Sequence, residues 1–251
     1  MAKKKARTPA PPRRVQAPKQ RHTGGGGLTA DRRRMLLYGA AGVAAVAVVV
    51  VLVVVLAGGK SGTPGASSDQ KVAAAMEAAG CTFQSKPVLP PVHKANSGYH
   101  LDVPTLSSKV KWSTFPPSGG SHYGLWAVWG FYRQPVNPRM VVHNEEHGGV
   151  IIWWGPKAPP TTVSKLEDFY LEEPTGTFGT PIAGLGNKIA LTAWTGDPSR
   201  YYRNGYYGVG KIAVCPGFDE KAFTTFRDAY RGHGPEGIPL SADQEGTGPN
   251  A

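Results

Sequence analysis

The stretch MLLYGAAGVAAVAVVVVLVVVLA, residues Met35 to Ala57, decides how the rest of the chain is read. It is 23 residues long without one charged side chain, and from Ala40 onward it contains only Ala, Val, Leu and Gly. A bilayer core takes about 20 apolar residues in a helix, and in hydrocarbon an unpaired peptide group costs several kcal/mol. Val is an indifferent helix former in water, but in lipid the helix is how a lone segment pairs its amides. The stretch therefore reads as one transmembrane helix.

Charge gives it a direction. Residues 1–34 carry eleven Lys and Arg against the single acid Asp31, which is +10 of the chain's +11 and leaves +1 for everything after Arg34. Basic flanks stay cytoplasmic, and Arg32, Arg33 and Arg34 abut the apolar run directly. The reading is a disordered basic cytoplasmic tail over 1–34 that also touches anionic lipid. It places the C-terminal domain outside the cell membrane. Because the excess charge belongs to the tail, the folded part has no basic patch for nucleic acid. Val55-Leu56-Ala57 has the small residues a signal peptidase would want, yet the apolar stretch exceeds the 7–15 residues of a cleaved signal.

Beyond the helix, 58–68 is a Gly/Ser/Pro linker. Residues 69–236 are expected to form an α+β extracytoplasmic domain with a small, mainly antiparallel sheet, and 237–251 a flexible tail. Asp69 to Ala79 reads as a short Ala-rich helix capped by Ser68 or Asp69 and stopped by Gly80. Cys81 to Gly120, rich in Pro, Ser and aromatics, is expected to be irregular. Trp126–Tyr132, Val150–Trp154, Lys188–Trp194 and Val209–Val214 read as strands. Thr161–Glu172 places Val163, Leu166, Phe169 and Tyr170 on one helical face, and Phe218–Tyr230 is a closing amphipathic helix. Past Arg231 the composition points to loose chain.

The two cysteines, Cys81 and Cys215, both follow the apolar segment. An even number in an oxidising compartment favours a disulfide between them, two buried thiols being the alternative. They form no Cys-x-x-Cys pair, which argues against thiol redox catalysis.

Chemistry concentrates in Met140-Val-Val-His143-Asn-Glu145-Glu146-His147-Gly148-Gly149. His143-x-x-Glu146-His147 matches the inverted zinc-protease pattern, which needs a helix so that positions i, i+3 and i+4 share a face. Two β-branched residues before it and Gly148-Gly149 after it argue against a helix. In an extended chain His143 and His147 still converge, with Glu145 rather than Glu146 beside them. Zinc and copper take three or four ligands. The candidates for the remainder are His122, the more distant His93, His100 and His233, and for copper the thioether of Met140. The alternative is a buried turn in which the histidines bond backbone. Trp126, Trp129, Trp153 and Trp154 read as core and edge packing. There is no Gly-x-Ser-x-Gly elbow and no phosphate-binding loop, and Gly184-Leu-Gly186-Asn is a turn.

Gly80-Cys81, Pro117-Ser-Gly-Gly-Ser-His122-Tyr, Trp129-Gly-Phe-Tyr132, Val142-His143-Asn-Glu-Glu146-His147-Gly-Gly-Val150, Ala190-Leu-Thr-Ala-Trp194 and Gly234-Pro-Glu236 together resemble the bacterial domain of unknown function 3105. The likeness runs from about Ala79 to Glu236, and its His-Asn-x-Glu-His-Gly element is fairly specific. Glu145 stands where that pattern is expected to hold an apolar residue. The resemblance thus points away from Glu145 and toward His122, His143, Glu146 and His147 as metal ligands. It implies a membrane-anchored or exported bacterial protein and brings no established activity. The leading expectation is an extracytoplasmic domain binding copper or zinc. The alternatives are a non-enzymatic envelope interaction domain and a hydrolase with Glu146 as general base.

Overall fold

Val150–Trp154 is the strand around which the domain is arranged. Five apolar residues without polar alternation suit a strand covered on both faces. All five are buried in the computed structural model of the chain, which describes residues 66–90, 102–103 and 105–240. In chain order the elements are α1 (Ala66–Ala78), β1 (Thr82–Pro87), β2 (Asp102–Val103), β3 (His122–Tyr123), α2 (Pro138–Glu146), β4 (Val150–Trp154), α3 (Pro160–Glu172), β5 (Thr177–Pro181), β6 (Ile189–Thr195), β7 (Val209–Cys215) and α4 (Glu220–Tyr230). Contacts divide the chain into Met1–Gly59 and Lys60–Ala251, and every described residue belongs to the second unit. The expected tail and spanning segment lie outside the described residues, among which no helix is long and apolar enough to cross a membrane.

The main sheet runs β1-β7-β6-β4-β5, antiparallel throughout except for the β4–β5 pair. This is the α+β architecture with a mainly antiparallel sheet that the mixed elements imply. Alternation along β4 sorts the core into two layers. Val150, Ile152 and Trp154 join Val72 and Met76 of α1, Leu166 and Phe169 of α3, and Phe223, Phe226 and Tyr230 of α4. Ile151 and Trp153 face the other way, against Phe178 and the Met140 and Val141 side chains of α2. The site is built on that second face.

Three local expectations are corrected, and one unexpected strand is added. The segment after Cys81 is not wholly irregular, because Thr82–Pro87 pairs with β7 as an edge strand. Its polar sequence hides it: one side is open to water, and Phe83 alone turns to the core, stacked on Tyr230 at 6.2 Å between centroids. β5, whose Gly and Pro disguise it in the sequence, is a further strand, parallel to β4. Trp126–Tyr132 is not a ladder strand and makes isolated bridges only, among them Phe131 to Gly179. A Cβ at position 179 would sit 2.2 Å from the Phe131 ring, so the glycine is what admits that segment. Beyond Arg231 the chain is held down, since Gly232 N–H donates to the Gly148 carbonyl at 2.8 Å.

Cys81 and Cys215 form a disulfide at the junction of β1 and β7. A polar tie lies farther along the same pair of strands. Lys211 Nζ, only 5% exposed, donates to Asp69 of α1 at 2.9 and 2.6 Å, and Tyr230 and Ser85 donate to the same carboxylate, each at 2.8 Å. Asp69 is therefore a bracket between α1, β7 and α4 and not a helix cap. Burial pushes its carboxyl upward, but Lys211, Tyr230 and Ser85 outweigh that and hold it below the ordinary carboxylate value. A group with a depressed folded pKa stabilises above its unfolded value and loses that contribution as pH falls through the folded one. Asp69→Asn is expected to lower unfolding stability by about 2 kcal/mol at pH 7. The difference from the parent should shrink below about pH 4, as denaturant melts at several pH values would show.

Candidate metal centre

The helix α2 exists despite its β-branched residues. Asn137 caps it by accepting from Arg139 N–H at 3.1 Å, and Pro138 occupies the first turn, where its missing N–H costs nothing. Val141 and Val142 cost only about half a kcal/mol each in helix propensity, and every side chain from Met140 to Glu146 is buried. Gly148 ends the helix one residue beyond the second histidine, not before it. At φ +94° its N–H donates to the Glu145 carbonyl at 2.9 Å. Helical spacing then puts His143, Glu146 and His147 on one face and turns Glu145 away.

His122 arrives from a separate turn. Gly119 at φ +123° lies flat on Trp194, where a Cβ would be 2.7 Å from the indole. Trp112 Nε1–H holds the Ser121 carbonyl at 2.9 Å. The turn therefore presents His122, completely buried, to the exposed end of no element but directly to α2.

The two imidazoles are fixed alike. His122 Nδ1 lies 2.8 Å from the Gly120 carbonyl and His143 Nδ1 lies 2.9 Å from the Tyr123 carbonyl. A carbonyl only accepts, so each Nδ1 carries a hydrogen, and in the neutral ring Nε2 is left with its lone pair. Both Nε2 atoms turn to the same oxygen, Glu146 Oε2, at 3.0 and 3.8 Å. Burial first, then the neighbouring His122, push His143 well below the ordinary histidine pKa, which Glu146 only partly opposes. The Trp126 ring covers the far side, its centroid 5.3 Å from His143 and 4.8 Å from His147. Asn144 secures that covering loop through both hydrogen bonds to Ala127, at 3.0 and 2.8 Å.

The two adjacent glutamates have opposite surroundings. Glu146 Oε1 accepts from the Tyr201 and Tyr202 hydroxyls at 2.6 and 2.7 Å. Burial, followed by the charge on Glu146, raises both phenols well above the ordinary tyrosine value, so they stay protonated donors. Tyr202 does this from φ +61°, a conformation of order 1 kcal/mol or more for a non-glycine residue. Glu145 instead points at the sheet and takes the Thr192 hydroxyl, which in turn accepts from Trp153 Nε1 at 2.7 Å. Burial lifts its pKa well above the usual carboxylate range, in favour of the uncharged form.

The four expected ligands are neighbours but do not form one set. His122, His143 and Glu146 each offer a ligand atom within 4.8 Å of the others, while His147 groups with Glu146 and Glu236. Glu236 was not legible as a ligand, nor were Tyr201 and Tyr202. Met140 is corrected as a copper ligand, since its side chain belongs to the apolar layer with Ile151 and Phe178. His233 joins neither group among the described residues, and His93 and His100 lie outside them.

Fold and cluster together define an α+β domain built around a buried His/Glu centre. The chain belongs to the family described as a protein of unknown function, DUF3105, whose model matches residues 105–241, more than half its length. The match takes in every member of both His/Glu groups and leaves out α1, β1 and Cys81. No curated protein and no solved structure matches the chain significantly.

Proposed function

We propose that this is a single-pass, membrane-anchored extracytoplasmic domain that binds a transition metal through His122, His143 and Glu146, with His147 beside them. One observation carries the reading: two imidazoles, each pinned through Nδ1–H to a backbone carbonyl, converge through Nε2 on one carboxylate oxygen. That is the arrangement in which protein histidines hold metals, the outer N–H fixing tautomer and orientation. Around a tetrahedral zinc with ligands near 2.0–2.1 Å, ligand atoms lie about 3.3 Å apart, and the separations of 3.0 and 3.8 Å bracket that value. The donor set is imidazole and carboxylate. Both cysteines are in the disulfide and Met140 is in the core, so Zn(II) or Cu(II) suits it better than the soft Cu(I).

An interaction module with a structural histidine turn would bury its histidines singly. Here the ring centroids of His122 and His143 are 4.7 Å apart, and those of His143 and His147 4.6 Å. The exposed large apolar residues among those described, Phe115, Leu125, Val128 and Leu171, include one aromatic. The uncharged segment from Met35 to Ala57, its basic flank and a disulfide suited to an oxidising compartment support the anchoring and the outward face. The test is metal content of the untagged full chain after incubation with zinc or copper and removal of excess. Near-stoichiometric metal is expected, and none with either ion would overturn the reading.

A further inference from the structure

We propose a second cation position in the same centre, held by Glu146, His147 and Glu236, so that the Glu146 carboxylate bridges two ions. This rests on the reading of His122, His143 and Glu146 as ligands of the first. The second group offers one atom from each residue within 4.8 Å of the others, and His147 Nε2 stands 3.4 Å from Glu236 Oε2. Glu146 is the residue common to both groups. A carboxylate has two oxygens, and paired ions bridged in this way sit about 3.5–4 Å apart. The 4.6 Å between the His143 and His147 centroids makes the two ligand sets immediate neighbours, one helical turn apart on α2.

Glu236 is brought there by construction and not by a loose surface approach. Gly232 N–H donates to the Gly148 carbonyl at 2.8 Å, and Gly237 N–H donates to the Gly234 carbonyl at 3.1 Å. Between them Gly234 presses on the end of α2 so closely that a Cβ would stand 2.3 Å from both the Glu146 carbonyl and the Gly148 nitrogen. The segment is latched on the helix terminus by contacts that tolerate no side chain, and the next acidic residue it carries faces His147.

The two positions differ in access. His122 and Glu146 are sealed, whereas Glu236 is 18% exposed and, with Tyr201 and Tyr202, lines an open cleft of about 510 Å³. The second ion therefore meets solvent, with coordination places for water or a small oxyanion, and the first is shielded behind it.

Counting zinc tests this directly. The full chain and its Glu236→Gln variant are loaded with zinc sulfate, freed of excess by gel filtration and analysed by plasma mass spectrometry. Matched thermal melts of the unloaded proteins check that both are folded. Two zinc ions per chain in the parent and one in the variant are expected. One ion in each would overturn the second position while leaving the single-site reading intact. Two ions in each would overturn it by placing the second ion elsewhere. No zinc in the parent would remove both readings together.

Discussion

Alanine in place of His143 is expected to weaken zinc or copper binding at least about 100-fold, the upper end of what even an outer-sphere partner of a metal ligand costs. Glu145→Gln should leave binding unchanged. The two positions are separated by one residue and differ in everything that matters. His143 aims Nε2 at Glu146 Oε2 with its other nitrogen held by Tyr123. Glu145 lies on the far side of α2, completely buried and turned to Thr192 of β6. Burial raises the Glu145 pKa well above the usual carboxylate range, and an amide reproduces the shape of the carboxyl without a charge. Titration calorimetry on both variants, beside melts showing that each is folded, separates the outcomes. Equal loss in both would mean that binding follows the integrity of α2 and not the ligand set, and retention in His143→Ala would remove His143 from the site.

That contrast marks where sequence reasoning reaches its limit. The spacing His143-x-x-Glu146-His147 puts Glu146 rather than Glu145 beside the histidines only if the segment is helical, as it is, and the local residues argue the other way. What makes it helical is tertiary: Asn137 and Pro138 start it, burial of every side chain from Met140 to Glu146 holds it, and Gly148 stops it after His147. The likeness to a family was the better guide here, since an apolar residue expected at position 145 points to Glu146 by elimination. His122 was a candidate from the ligand count alone, and the likeness strengthened it through the Gly-rich turn that carries it. Tyr201 and Tyr202 are 55 and 56 residues from Glu146, and no periodicity connects them to it. Glu236 lay in chain expected to be loose, and its role depends on Gly232 and Gly234 closing on a helix end.

The fold divides along similar lines. β4 announced itself by five apolar residues, and α3 by Val163, Leu166 and Phe169 at helical spacing, because both elements bury a face in the central layers. β1 and β5 did not, because they are the two edges of the sheet. An edge strand can be polar, as Thr82–Pro87 is, or interrupted by Gly and Pro, as Thr177–Pro181 is, and still complete a ladder. Trp126–Tyr132 misled in the opposite direction. Its aromatics have strand-like composition, but Trp126 covers the histidines and Phe131 stacks on Trp154 at 4.7 Å, so packing of individual rings and not a ladder sets its path.

The same edge position determines what the disulfide does. Cys81–Cys215 closes a sequence separation of 134 residues, for which the chain-entropy account gives about 5 kcal/mol, while removal of native disulfides typically costs 2–5 kcal/mol. The paired substitution Cys81→Ser and Cys215→Ser is expected to fall in that range in denaturant melts of the full chain. The loss should not be spread evenly. β1 is a six-residue edge strand with mostly exposed side chains, and α1 reaches the rest of the domain chiefly through Val72, Met76 and the Asp69–Lys211 pair. Without the covalent tie, α1 and β1 should open first, and hydrogen exchange should show their amides losing protection ahead of β4, β6 and α2. The His/Glu centre sits on the opposite face of the sheet and inside the family-matched residues 105–241, which omit α1 and β1. Metal binding should therefore survive the substitution. If α1, β1 and α2 instead lose protection together and binding goes with them, the N-terminal helix and edge strand are part of one cooperative unit with the centre, and the disulfide secures the site as well as the edge.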